Sequence, residues 1–419
     1  MFHNKESLRY YLFSLSNFLA AIGGGMILGK GVATIQIPFL HGGSLLAFLV
    51  GTVIGLFFLQ LTPKKFSDIF SRWFSISGGI TSLILFSIFL GYAKNQTMSG
   101  NIAIVFFLLL SMRFGFWFYS RVLRAANAAG HNQNIAWVEF GYYAGIIGGL
   151  VIWLLLGIDI GMGFALLLDA TLQFAAGFLD ITANKMDYKE NKPDNNKIQI
   201  SQPLTKNTSS WSWRLAISVM LITIGVQVII FNLSHQVPSY FSPYILAFFY
   251  FGAATSSLIC KKFHIRLEWD NTHKKNRSSA AIYFNQNGRN KKLNFLLLNI
   301  LSALGIFFVT YMLYKHPFIG KNIMFGLKEF AILFFIFVGT FFYGILEMAM
   351  LDRIGIEEIH SQQKNMILRT YGLMSVAAVL SLWLLSLLSN IIVYQISIIL
   401  ICFILTFFIL FKRNIIFSE

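Results

Sequence analysis

The chain has 419 residues, of which 56% are hydrophobic and only 12% charged, and it carries a net charge of +16. A soluble globular protein devotes about 25% of its residues to charge, so this composition excludes a water-surrounded fold and makes lipid part of the solvent. The mean hydropathy of +0.66 and the 44 phenylalanines point the same way.

Twelve apolar stretches are long enough to cross a bilayer, at roughly 10–33, 44–61, 74–93, 101–121, 136–156, 160–181, 213–233, 239–260, 293–314, 323–350, 366–388 and 391–411. About 20 apolar residues are needed per helical span. The stretches are continuous rather than short and alternating, which predicts helices and not the strands of a barrel. The first follows Arg9 without a small-residue cleavage pattern, so it reads as a span and not a removable signal. Only Ser389 and Asn390 separate the last two, which implies a tight hairpin. Trp211 and Trp213, just before span seven, read as interfacial anchors.

Two polar segments interrupt the pattern. Residues 182–212, rich in Lys, Asn, Asp and Ser, form a linker between a six-span unit at 1–181 and another at 213–419. Residues 261–292 carry nine basic residues and read as a solvated basic loop. With the N-terminus inside, 27 of the 33 Lys and Arg residues fall on the inner side and five on the outer, with Arg113 within a span. That asymmetry predicts a cytoplasmic (inner) membrane protein with both termini cytoplasmic. It also accounts for the positive charge without nucleic acid.

The two units resemble each other. Gln36-Ile37-Pro38, Leu46-Ala47-Phe48 and Lys64-Lys65-Phe66 recur as Gln236-Val237-Pro238, Leu246-Ala247-Phe248 and Lys261-Lys262-Phe263. Phe118-Tyr119 is echoed by Phe342-Tyr343, and the segment from Glu139 overlays that from Arg369. An even number of spans per unit makes the repeat parallel. Cys260 and Cys402 lie in no metal-binding or disulfide spacing. No nucleotide-binding loop, HExxH or GxSxG occurs, so no enzyme, ATP or cofactor is expected.

An ionisable group within a span costs about 2.5–3.5 kcal/mol or more unless paired or hydrated. Arg113, Asp169, Glu347 and Glu139 stand out on this ground. Arg113 offers a planar fork for a carboxylate or phosphate, or a structural pair for Asp169. Gln173, one turn from Asp169, shares its face.

In its architecture of two parallel six-span units the chain resembles the major facilitator superfamily. Asp68 and Arg72, between spans two and three, are similar to the acid and base of that family's signature loop, although its glycine is missing. Arg113-Phe114-Gly115 is similar to a span-four Arg-Gly pattern of proton-coupled members. The glycine-rich run Gly23 to Gly31, closed by Lys30 within it, is similar to the siderophore-transporting branch.

The resemblance implies a central cavity lined by spans one, four, seven and ten. Substrate contacts are then expected from Arg113, Asn17, Gln227, Asn232 and Tyr343, with Tyr119, Tyr142 and Tyr143 of the same kind. Glu347 is the candidate proton-coupling acid, while Asp169 on a peripheral span favours pairing over proton relay. Glu139 and Arg369, at matching repeat positions facing the interface, are expected to form a cytoplasmic gate with Asp68 and Arg72 nearby. The expected function is a monomeric, proton-coupled secondary transporter working by alternating access. Its substrate would be small and of an anionic or carboxylate type, such as a siderophore or metal chelate. Efflux of drugs or metabolites by the same fold is the alternative within the class. A non-transporting lipid-handling or sensor protein is the alternative outside it.

Overall fold

A computed structural model describes residues 5–34, 64–95, 100–131, 134–156, 162–187, 209–230, 233, 237–238, 240–270, 279–286, 289–315, 326–361, 366–387 and 392–411. Among these residues eleven helices occur: α1 (Lys5–Thr34), α2 (Lys64–Asn95), α3 (Gly100–Ala128), α4 (Asn134–Leu156), α5 (Met162–Asp187), α6 (Ser209–Thr223), α7 (Ser242–Phe263), α8 (Phe295–Lys315), α9 (Leu327–Ser361), α10 (Met366–Leu387) and α11 (Ile392–Phe411). α6 continues into a π-helical turn, Ile224–Val228. Seven of them are long and apolar enough to cross a membrane. The predicted second span and most of the linker lie outside the described residues.

The helices form two packed groups. α1 lies against α4 and α5, and α2 bridges α3 and α5. In the second group α9 packs on α7 and α8, while α6 touches α9, α10 and α11. The main seam between the groups is α4 against α7. Large apolar side chains such as Leu108, Leu155, Phe164, Phe178, Phe330 and Phe334 remain exposed on the outer faces of both groups. In water such a surface would be a liability; in hydrocarbon it is the ordinary outer face of a span.

α1 and α4 approach closely because of a glycine stripe. A Cβ built on Gly141, Gly145 or Gly149 would overlap the carbonyl oxygens of Ser14, Phe18 and Ile22 respectively. Both series step by four, so each runs along one helix face. The Gly23-Gly24-Gly25 run likewise stays helical, and each position has Asp169, Trp117 or the Ile146 backbone where a methyl would go. This run therefore serves packing rather than an unwound backbone site. One prediction follows for neighbouring positions. Gly145→Ala is expected to lower the melting temperature of the detergent-purified protein. Gly148→Ala meets only Ile22 Cγ1 at 3.6 Å, and is expected to be neutral or stabilising by up to about 1 kcal/mol from helix propensity.

The basic segment at 261–292 departs from the expected loop. It contains β1 (Arg266–Asp270), β2 (Ser279–Gln286) and β3 (Arg289–Leu293), an antiparallel sheet in the order β1-β2-β3. Leu267 stands opposite Ile282, and Ile282 opposite Leu293, so one row of apolar side chains crosses the sheet. Leu267 and Ile282 are buried, and the sheet rests on α7, α8, α9 and α11. The sequence signal was Asn287-Gly288, a two-residue hairpin signature, between the paired Gln286 and Arg289. Charge density masked it.

Other helix ends also move. α2 starts at Lys64, taking Asp68 and Arg72 into a helix rather than a loop; their side chains are outside the described set. α3 runs to Ala128 and α9 to Ser361, beyond the apolar windows, because buried acids there satisfy the charges that had marked the predicted ends.

Candidate functional site between the helix groups

α3 carries three buried arginines, each held by an acid within its own helix group. Arg113 forms a bidentate pair with Asp169 of α5, with Nε to Oδ2 at 2.7 Å. Ser82 of α2 adds a hydroxyl at 2.5 Å. Arg124 pairs with Asp180 at 2.6 and 2.8 Å and also reaches Asn17 Oδ1 and Ser75 Oγ, both at 2.6 Å. Arg113 to Arg124 and Asp169 to Asp180 are both separated by three helical turns. The two pairs therefore lock α3 to α5 at two levels.

The third arginine stands at the seam. Arg121 donates to Glu139 Oε2 at 2.8 and 3.0 Å, and its guanidinium lies 3.7 Å over the Tyr142 ring. The other Glu139 oxygen accepts the Tyr371 hydroxyl from α10, in the opposite group, at 2.8 Å. Arg121 also reaches the Tyr143 hydroxyl at 3.4 Å, and Tyr143 donates to Glu347 Oε2 of α9 at 3.3 Å. Tyr343, one turn before Glu347, accepts from Gln227 Nε2 at 2.6 Å. Gln227 sits on the π-helical turn, a distortion often found at functional sites. The result is one continuous polar chain across the two groups: Tyr371, Glu139, Arg121, Tyr143, Glu347, then Tyr343 and Gln227.

Glu347 differs from Asp169, Glu139 and Asp180. It is fully buried, yet no salt bridge to it occurs among the described residues. One of its oxygens, Oε1, has no hydrogen-bond partner there. Asp169, Glu139 and Asp180 are each neutralised by an arginine. A buried carboxyl without a cation of its own is the group whose charge a proton can most readily remove.

The seam closes further at the end where α4 begins and α3 finishes. Lys261 of α7 donates to Asn134 Oδ1 at 2.8 Å. Gly130, with a left-handed φ of 74°, abuts Gly355 of α9: a methyl on Gly355 would lie 2.7 Å from the Gly130 nitrogen. Asp352 takes a hydrogen bond from the Gly130 backbone and lies beside Arg266 and Lys261. Only glycine allows the two backbones this approach.

Several expectations change. Arg113 is not free to take an anion, since Asp169 occupies its fork. The Nη1 atom of Arg113 alone lacks a partner. Asn17 is an interhelical strut: it donates to the Val138 carbonyl at 3.0 Å while accepting from Arg124. Glu139 is held by Arg121 and Tyr371 and not by Arg369, which is exposed. Asn232 lies outside the described residues. Gln227, Tyr343 and Glu347 are brought together. Gln173 donates to the Ala20 carbonyl at 3.2 Å rather than to Asp169. Arg121, Arg124, Asp180 and Tyr371 are not among the residues the sequence singles out, because the arginines fall at the edge of an apolar stretch where a charge reads as a loop residue; the matched spacing of 113/124 and 169/180 is the available signal.

No family model matches the sequence, and no curated protein matches it. Solved structures do. A bacterial homologue of the iron transporter ferroportin, in an outward-facing state, matches with a TM-score of 0.60 at 10% identity, covering 96% of this chain and 98% of that one. A structure of a bacterial ferroportin homologue in an outward-facing state with soaked iron gives 0.57 at 12% identity, covering 96% of this chain and 98% of that one. The Escherichia coli fucose:proton symporter gives 0.53 at 13% identity, covering 97% of this chain and 98% of that one. Over nearly its whole length, the chain therefore has the fold of the major facilitator transporters, a helical membrane architecture.

Proposed function

We propose that this chain is a proton-coupled secondary transporter in which Glu347 carries the proton and the Gln227–Tyr343–Glu347 cluster faces the substrate. The observation that supports this reading is the burial of Glu347 without a bridging cation, at a point where the opposite helix group holds it through Tyr143. Gain or loss of one proton there changes the charge at the seam between two bodies that rock in alternating access. Taking the basic ends as cytoplasmic, the seam is closed on that side and the arrangement corresponds to an outward-facing state. Both termini then lie in the cytoplasm, with residues 1–181 and 213–419 as the two moving units and 182–212 as their linker.

The site chemistry favours a different substrate class from a carboxylate siderophore or chelate. Arg113, which motivated an anion, is neutralised by Asp169. The glycine run that resembled siderophore transporters serves packing. What the seam offers instead is a carboxyl, two tyrosine hydroxyls and an amide. These suit a small neutral hydroxylated compound or a cation. A hydroxylated sugar and iron are named for the two solved proteins of this fold, but at 10–13% identity the support comes from the site and not from them.

The test is accumulation in proteoliposomes, with and without an imposed pH gradient, across sugars and polyols, amines and divalent cations, and carboxylate chelates. Gradient-dependent accumulation of a neutral or cationic compound is expected. Accumulation of carboxylates alone overturns the substrate class, and accumulation indifferent to the gradient overturns proton coupling.

A further inference from the structure

We infer that Asp352 is a two-position switch at the basic end of the seam: it accepts the Gly130 N–H while the helix groups are together there, and it pairs with Arg266 when they part. The inference rests on the alternating-access part of the transport reading and not on Glu347 or its proton.

Asp352 is buried on α9, and one turn later Gly355 meets Gly130 of the opposite group. Three cations lie around its carboxylate: Arg266, Lys261 and Arg353. Lys261 is committed across the seam to Asn134 Oδ1 at 2.8 Å, and Arg353 donates to Glu357 Oε1 at 3.2 Å within α9. Arg266, half-buried at the head of β1, has no such commitment. Its Nε atom is buried without a hydrogen-bond partner, and so is Asp352 Oδ1. Among the described residues no ion pair joins the two side chains. A guanidinium and a carboxylate lying near each other, each with a buried atom unsatisfied, form a pair that a small displacement completes.

The sheet supplies a fixed mount for Arg266. α7 ends in a left-handed cap at His264, where Ile265 donates back to the Cys260 carbonyl at 3.1 Å, and β1 starts at the next residue. Asn294 follows β3 directly and caps α8 by accepting from the Leu296 and Leu297 backbones at 3.0 and 3.3 Å. β1 lies against α9, and α9 packs on α7. With no slack at either joint, Arg266 stays beside Asp352 while Gly130 departs with α3 and α4. Exchange of one partner for the other spares the carboxylate an unsatisfied state and brings the two arrangements close in energy.

The experiment is pulsed electron paramagnetic resonance on the full chain in nanodiscs, in a Cys260→Ala/Cys402→Ala background. Nitroxides are placed at Lys185→Cys on α5 and Glu268→Cys on β1, both exposed and in opposite groups. A shorter distance, matching this structure, and a longer one are expected. Lys261→Met removes the bond to Asn134 and should raise the share of the longer distance. Arg266→Gln, alone or added to Lys261→Met, should lower the longer-to-shorter ratio by up to about five-fold, while Arg266→Lys keeps it. Asp352→Asn still accepts from Gly130 but cannot pair as a charge, and should act as Arg266→Gln does. A ratio that Arg266→Gln leaves unchanged or raises in both backgrounds overturns the inference alone, since an arginine that clamps the closed form would raise it. A single distance that Lys261→Met does not alter overturns it together with the alternating-access reading beneath it.

Discussion

Glu347→Gln is expected to uncouple transport from the proton gradient. Each coupled proton allows about ten-fold accumulation per unit of pH difference, the equivalent of ~1.4 kcal/mol. In the glutamine variant that accumulation should fall to the level reached without a gradient. Exchange of labelled for unlabelled substrate should persist, because Gln keeps an oxygen to accept from Tyr143 and adds an amide donor of similar shape. The prediction depends on Glu347 lacking a cation of its own. Tyr143→Phe removes only the hydrogen bond across the seam, worth about 1 kcal/mol, and should shift the balance of facing states without abolishing coupling. Full gradient-driven accumulation by Glu347→Gln would remove Glu347 from the mechanism.

Arg113→Met should damage the protein itself rather than its selectivity. Removing one partner of a buried ion pair strands the other charge and costs about 3–5 kcal/mol. The pair here is bidentate and both side chains are fully buried. Purified Arg113→Met is therefore expected to melt far below the wild type or to elute as aggregate. Arg113→Met/Asp169→Leu should recover most of the loss, because apolar replacement of the whole pair is often neutral. Thermal melts read by size exclusion measure both. A substrate-binding arginine would behave in the opposite way: tolerated singly, with transport lost in both variants. An Arg113→Met protein that melts like the wild type would return Arg113 to the list of substrate ligands.

The same contrast explains what was legible before the fold. Glu347, Asp169 and Arg113 were visible because a charge in an apolar run stands out by its cost. Arg121 and Arg124 carry the same cost, but they fall at the edge of an apolar window, where a charged residue looks like a loop residue. Their partners Glu139 and Asp180 lie on α4 and α5, and no local pattern links them. The expected pairing of Glu139 with Arg369 does not form in the structure, for a related reason. Repeat symmetry placed Arg369 at the matching position, but the repeat fixes where a backbone lies and not which way its side chain turns. Tyr371, two residues on, presents its hydroxyl to Glu139 while Arg369 faces outward.

The sequence by itself determined the solvent, the helical class and the positions of most spans. These follow from composition and period, since a bilayer demands long apolar segments with internally bonded backbones. Only the tertiary structure decided which charges are neutral pairs and that Glu347 is not in one, because pairing depends on helices distant in the chain meeting at the right turn. It also decided that the basic segment is a sheet, since Leu267, Ile282 and Leu293 form an apolar row only once the strands are paired and seated on the bundle. The chain remains lipid-embedded, while Arg113 is a structural pair within one helix group and the proposed proton site, Glu347, lies at the seam between two.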